Sequence, residues 1–478
     1  MRRRDFLRSA AASAATLALP AAEEERPALA ADDGRPNIVF ILADDLGYGD
    51  LGCYGQRNVP TPNIDRLAAE GTRFTDFYAG STVCAPSRCA LFTGKHMGHA
   101  RVRGNGELPL KPQDTTLAEV LKKAGYETAL FGKWGLGPEG TDAVPTKRGF
   151  DTFFGYLNHV HAHNHFPSYL WRGEEKVPLK NVVPDEGKSG QGVATEKREF
   201  APDLFTKEAL AFLDAPRAAK PFFLFLSYNT PHANNEARRE GMTVPRDEIY
   251  AEFNDREWPE PQKGFAAMMT RLDQHVGMIL GKLQEKGLDR NTIVVFTSDN
   301  GPHREGGNDP TFFDSNGPYR GIKRDLYEGG IRVPFLVRWP ARTPKNKTSA
   351  HPGYFPDLLP TFAELAGAAA PKDLYGVSIA PTLTGRGGQK KHKYLYWEFY
   401  EQGGAQAVRI DPKWKAVRAG VADPAAPIEV YDLEADPSEA RNVAAHHPEI
   451  SGYARSLFSE AHVPSPDWKV RPRQGQAR

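Results

Sequence analysis

The chain has 478 residues, 40% of them hydrophobic and 25% charged, which fits a globular protein and excludes a disordered or fibrous one. Net charge is +1, so no global basic field points to nucleic acid as a partner. Three cysteines, Cys53, Cys84 and Cys89, are too few for a disulfide framework.

The N-terminus reads as an address. Arg2-Arg3-Arg4-Asp5-Phe6-Leu7-Arg8 is a twin-arginine pattern, and an Ala/Leu-rich run follows it. Residues 1–30 are expected to be a signal peptide cut after Ala30, with the twin-arginine (Tat) export machinery as a partner. The run is short for a membrane span, and no later segment is long enough. The mature protein is therefore expected not to span a membrane and to lie in a bacterial periplasm or outside the cell.

Next come apolar runs at 37–43, 127–131, 222–226, 292–297 and 333–337. They read as buried parallel strands. Helical patterns lie between them. One covers 116–124 and stops at Gly125. The longest covers 266–286, with Met268, Leu272, Val276, Ile279, Leu280 and Leu283 on one face. The expected fold class is α/β, a doubly wound, mostly parallel sheet flanked by helices, over residues 36–385. Residues 176–199 read as an exposed loop and 386–391 as a linker. Four short runs at 394–399, 406–409, 413–417 and 428–433 suggest a small antiparallel sheet, followed by a short helix, in a C-terminal subdomain over 392–463. Residues 464–478 read as a disordered tail.

Polar residues stand just after the strand-like runs: Asp44-Asp45, Lys133, His232 and Asp299-Asn300. In open α/β sheets ligands bind outside the carboxyl ends of strands, so these residues are expected on one rim. Asp44, Asp45, Asp299 and Asn300 offer hard oxygen ligands, which suit Ca²⁺ or Mg²⁺ rather than zinc. Each pair taken alone is equally a turn. Cys84 opens Cys84-Ala85-Pro86-Ser87-Arg88, ahead of a helix expected over 87–92. The positive end of that helix favours an anion. A buried structural cysteine and an activated thiolate are the other readings of Cys84.

These motifs, with Arg320-Gly321-Ile322-Lys323 and Glu328-Gly329-Gly330-Ile331-Arg332-Val333-Pro334, resemble the type I, formylglycine-dependent sulfatases. These form the arylsulfatase-like branch of the alkaline phosphatase superfamily, and the resemblance runs from about Asn37 to Pro340. It implies sulfate ester hydrolysis. It implies that a formylglycine-generating enzyme converts Cys84 to formylglycine (3-oxoalanine). It implies Ca²⁺, ahead of Mg²⁺, held by Asp44, Asp45, residue 84, Asp299 and Asn300. Arg88 would hold the nucleophile in place, Lys133 and Lys323 would contact the sulfate, and His232 would stand near the leaving oxygen.

The chain departs from the pattern at one position. Many relatives carry a catalytic histidine two residues after the lysine, where this chain has Gly135. A replacement is expected from His159-Val160-His161-Ala162-His163-Asn164-His165. An extended segment would put its four histidines on one side. His161 or His163 is expected to enter the site, with His161→Ala costing far more activity than His159→Ala. Asn164, Trp171, Arg172, Asp314, Asn316 and Arg320 are candidates for contacts to a sulfated glycan, Trp171 by stacking on a sugar ring. A phosphate mono- or diester hydrolase on the same scaffold is the enzymatic alternative. An inactive glycan-binding protein, supported by Gly135 alone, is the other.

Overall fold

The computed structural model describes residues 34–215, 220–411 and 413–470. The signal-like stretch 1–30 lies outside the described residues. In chain order the catalytic part carries strands β1 (Asn37–Asp44), β2 (Thr72–Phe74), β3 (Phe77–Tyr78), β4 (Glu127–Lys133), β5 (Thr152–Tyr156), β6 (Tyr169–Arg172), β7 (Glu175–Pro178), β8 (Phe222–Pro231), β9 (Thr292–Ser298), β10 (Phe335–Arg338), β11 (Lys347–Ser349) and β12 (Gly353–Tyr354). Ten of them form one sheet in the order β11-β2-β10-β9-β1-β8-β4-β5-β6-β7, and β3 pairs with β12.

The centre of the sheet, β9-β1-β8-β4-β5, is parallel throughout. Its strands are apolar without interruption because both faces are covered. Successive side chains of a strand point to opposite faces. Val39, Ile41 and Ala43 of β1 enter a core with α1 (Pro62–Ala69), α4 (Ala201–Asp214) and the long helix Glu260–Glu285. Ile38, Phe40 and Leu42 enter the opposite core, with α2 (Cys84–Thr93), α3 (Leu117–Lys123) and the helix Leu358–Leu365. The sheet is doubly wound, as its apolar runs imply.

One run departs from expectation. Residues 333–337 were expected to be a parallel strand, but β10 is antiparallel to both β9 and β2. After β9 the chain stays at the rim through Asp299–Pro334 and enters β10 from that end, so it must run back. A buried apolar run reports coverage, not direction.

The C-terminal sheet is an antiparallel meander of β13 (Leu395–Phe399), β14 (Ala405–Ile410), β15 (Trp414–Ala419) and β16 (Glu429–Asp432). The helix Pro448–Ala461 covers one face, with Leu457 and Phe458 against Val408 and Val430. The other face brings Trp397 and Val417 against Tyr78, Val83 and Ile331 of the catalytic part. The expected tail is docked as far as Val470. Trp468 Nε1 donates to the Arg101 carbonyl at 2.9 Å, and Asp467 pairs with Arg101. Among the described residues no helix is long and apolar enough to cross a membrane.

Candidate active site

Four adjacent strands, β4, β8, β1 and β9, deliver the polar groups at one rim. Asp44 ends β1, Lys133 ends β4, His232 follows β8 and Asp299 follows β9. Neighbouring strands lie about 4.8 Å apart, so groups far apart in sequence become close. Asp45 takes a left-handed backbone, φ 63°, which turns the chain away immediately after the strand. Cys84 is the first residue of α2, and the next amide, Ala85 N–H, donates to Asn105 Oδ1 at 3.1 Å.

All these side chains are buried, so each charge needs a partner. Arg88 donates from Nε and Nη2 to Asp299 Oδ2 at 3.0 and 2.9 Å, and from Nη1 to the Lys133 carbonyl at 2.9 Å. Lys133 Nζ donates to Asp44 Oδ2 at 2.5 Å. Lys323 Nζ reaches Asp45 Oδ2 at 2.8 Å, Glu305 Oε2 at 2.7 Å and His232 Nε2 at 3.1 Å. His232 Nδ1 donates to the Ala233 carbonyl at 2.6 Å, which leaves Nε2 to accept from Lys323. Burial first, and then the Lys323 ammonium, hold His232 well below the usual histidine range. A neutral imidazole with this tautomer fits both hydrogen bonds. Burial opposes ionisation of Asp44, yet the Lys133 ammonium and the Arg88 guanidinium hold it well below the usual carboxylate range.

Burial and the Asp44 carboxylate push the Cys84 thiol well up. Its Sγ donates to Asp44 Oδ1 at 3.4 Å. An unmodified Cys84 is thus a neutral thiol, which argues against the thiolate reading.

The histidine run is not extended. Residues His161–His163 form a single 3-10 turn, closed by a 2.7 Å bond from His161 N–H to Asn158 Oδ1. In a tight turn, unlike a strand, side chains two apart do not share a face. His159 and His163 lie with ring centroids 6.4 Å apart, and His163 stacks on His232 at 4.9 Å. His161 faces the other way, against Tyr156 and Tyr169. The expectation that His161 enters the site is corrected by this turn.

The expected sugar contacts scatter. Trp171 is buried beneath the Lys176 ammonium, and Arg172 is paired with Glu208. Arg320 donates to Tyr431 Oη and the Glu439 carbonyl in the C-terminal subdomain. Asn164 Oδ1 accepts from Phe166 N–H, and Asn316 donates to the Tyr319 carbonyl. The loop with Asp314 packs on the turn after β1, where Gly49 N–H donates to the Ser315 carbonyl at 2.7 Å. The structure does not bring Trp171, Arg172 or Arg320 to the charged cluster.

The sulfatase family model matches residues 36–368, and a model for the N-sulphoglucosamine sulphohydrolase C-terminal region matches residues 320–459. The chain belongs to the sulfatase family. Human arylsulfatase A is 34% identical over 471 residues, covering 87% of this chain and 85% of the relative. An N-acetylgalactosamine-6-O-sulfatase of Bacteroides thetaiotaomicron is 32% identical, covering 87% of this chain and 91% of the relative. Among solved structures, Ps i-CgsB in complex with k-i-k-neocarrahexaose superposes with a TM-score of 0.76 at 28% identity, covering 92% of this chain and 95% of that one. The protein is a sulfuric ester hydrolase with the alkaline phosphatase-like fold, and the phosphate-ester and inactive-binder alternatives are not favoured.

Sulfatases generally use formylglycine and a divalent metal, and the donors of this sulfatase fit such an ion. Asp44, Asp45, Cys84 and His232 each place a ligand atom within 4.8 Å of the others. Asn300 Oδ1 is a buried acceptor with no hydrogen-bond partner, while its Nδ2 donates to Asp45 Oδ1 at 2.7 Å. An orphaned carbonyl oxygen among three carboxylates suits a hard cation. Sequence reading missed Glu305, which Lys323 and Arg324 both contact, and Asn105 beside the start of α2. Glu305 lies six residues beyond Asp299 on the same strand exit, which was the available signal.

Proposed function

We propose that this sulfatase removes sulfate from a sulfated carbohydrate after twin-arginine export, with residue 84 as formylglycine and Ca²⁺ as its metal. Asp44, Asp45, residue 84, Asp299 and Asn300 would hold the ion. When bound, it offsets the charge on the sulfate oxygens and stabilises the ionised form of a hydroxyl at residue 84.

The chain's own residues do the rest. Lys133 and Lys323 present two buried ammonium groups to an anion that has shed its water. Arg88 fixes Asp299 and so the carboxylate geometry. Lys323 stands with His232 where a proton can pass to the departing alcohol oxygen, because its ammonium already shares a proton with His232 Nε2. Glu305 and Arg324 pair at 2.6 Å beside Lys323, and this ionic rim favours a polar leaving group. The carbohydrate class is supported by relatives named for N-acetylgalactosamine 6-sulfate and solved with a neocarrahexaose.

The single observation that carries this reading is the closed set of Cys84 and Arg88 on α2 with Asp44 and Lys133 at the ends of β1 and β4. The test is the mass of the tryptic peptide Phe74 to Arg88, from protein made alongside a formylglycine-generating enzyme. It is paired with ion chromatography of sulfate released from sulfated galactosamine oligosaccharides. Conversion of the thiol to an aldehyde with sulfate release is expected. An unmodified cysteine, or conversion without release from any sulfated sugar, rejects the reading.

A further inference from the structure

A hydroxyl at residue 84 must surrender a proton, and the site offers few places for it beyond the Asp44, Asp45 and Asp299 carboxylates that would hold the metal. Lys133, Lys323 and Arg88 are cations. Both nitrogens of His232 are engaged, by Ala233 and Lys323. Both of His303 are engaged, by Pro231 and Glu305. Both of His165 are engaged, by Thr243 and Asn229. His163 is held by Glu236 through Nδ1 and by its stack on His232, and it does not line the space beside Gly135. His161 faces away.

His159 is different. No described residue hydrogen-bonds its ring, and it is 9% exposed. It borders a cavity of about 10 Å³, room for one water, which Gly135 also lines. Backbone bonds set this register: Trp134 N–H donates to the Tyr156 carbonyl at 2.9 Å, and Gly135 N–H to the Leu157 carbonyl at 3.0 Å. Gly135, Leu157, Asn158 and His159 line this one cavity. A Cβ built on Gly135 would meet only Arg88 Cδ, at 3.8 Å, so the glycine leaves open space beside Arg88, which α2 carries one turn after residue 84.

We infer that His159 is the proton acceptor for residue 84, its imidazole filling the place of the side chain that Gly135 lacks. This rests on the formylglycine reading above. The imidazole nitrogen accepts the O–H proton, the O–H electron pair forms the carbonyl bond, and the C–O bond to the departing sulfate breaks. The proton then passes to solvent along the cavity, which the exposed Glu107 also lines. Burial, with Lys133, His163 and Lys323 around it and Asp44 opposing, lowers His159 to about 3. The ring is therefore neutral, as an acceptor must be.

The test uses the full metal-loaded protein with residue 84 converted. His159→Gln and His159→Ala are compared with His161→Ala. The two His159 variants should lose about 100-fold or more in kcat with KM within about threefold, and His161→Ala should stay within about threefold. A second readout needs no turnover. In protein carrying ¹³C-labelled histidine, the His159 resonance, assigned by its loss in His159→Gln, should shift when inorganic sulfate is added. Folding of each variant is checked by its Tm. Retained kcat in the folded Gln variant, a loss confined to KM, or a resonance unmoved at saturating sulfate overturns the assignment. If the parent protein is converted and active while the variants match it, only His159 falls. If residue 84 stays cysteine, the reading beneath it falls too.

Discussion

Metal loading should be coupled to a proton at Asp299. Without a cation, burial and then the Asp44 carboxylate push Asp299 up to about 7, against the pull of Arg88 and Lys133. A carboxylate ligand must be ionised to bind a metal. Ca²⁺ added to chelated protein at about pH 6 should therefore release about one proton, and at about pH 8.5 almost none. Affinity should rise with pH up to about 7 and then level off. The buffer dependence of the calorimetric enthalpy measures this, and equal release at both pH values rejects it. Asp299 was legible in the sequence because it ends an apolar run abruptly, as do Asp44 and Lys133. Ser227 lies inside β8 and still reaches Arg88. Nothing in a strand's own sequence marks a residue whose partner is 139 positions away. The histidine run failed for a different reason: its four rings were assigned to a strand period, and one side-chain bond from Asn158 made it a turn.

At the scale of elements, legibility followed burial. The central strands are apolar throughout and stood out. β6 and β7 lie at the sheet edge, where β7 is largely exposed, and a half-covered strand carries no continuous apolar run. The helix ends were legible where capping chemistry is local. Thr116 Oγ1 accepts from Glu119 N–H at 3.1 Å, and Glu119 Oε2 accepts from Thr116 N–H at 2.7 Å, a reciprocal cap on the seven-residue α3. The same hydroxyl donates to the Arg148 carbonyl at 2.9 Å. Thr116→Ala removes both of its bonds in a buried place and should cost about 1–2 kcal/mol. A urea titration should show a lower midpoint with an unchanged slope. A midpoint equal to that of the parent would mean that α3 is held by packing alone.

Over the whole molecule, the C-terminal subdomain holds the loop that carries Lys323. Glu328 N–H donates to Glu439 Oε2 at 2.6 Å, and Lys415 Nζ lies 2.9 Å from both Glu328 and Glu439, all three side chains fully buried. Lys415 is shared between the two carboxylates, while Arg332 pairs only with Glu328 of the two, at 2.9 Å. Burial opposes the charge on Glu328, yet Lys415, Arg332 and Arg409 pull it down to about 2. Burial raises Glu439 to about 7, with Lys415 opposing and the Glu328 charge adding to the rise. Glu439 is therefore a protonated acid in the folded protein below that pH. An unfolded glutamate titrates near 4.3, so between about pH 4.3 and 7 the native state binds more protons than the unfolded one. Stability then falls as pH rises through this window. Glu439→Gln keeps an acceptor for Glu328 N–H and cannot ionise. Relative to the parent it should gain stability from about pH 4.5 to 7, on the order of 3–4 kcal/mol in all, and no more above about pH 8. Asp50 and Asp299 are also raised to about 7, but they titrate in both proteins and cancel from the difference. Denaturant unfolding of the two proteins at saturating metal across this range measures it. A difference independent of pH would place the buried charge elsewhere than Glu439, and the subdomain contact would then owe its hold on the Lys323 loop to the apolar face around Trp397 and Val417.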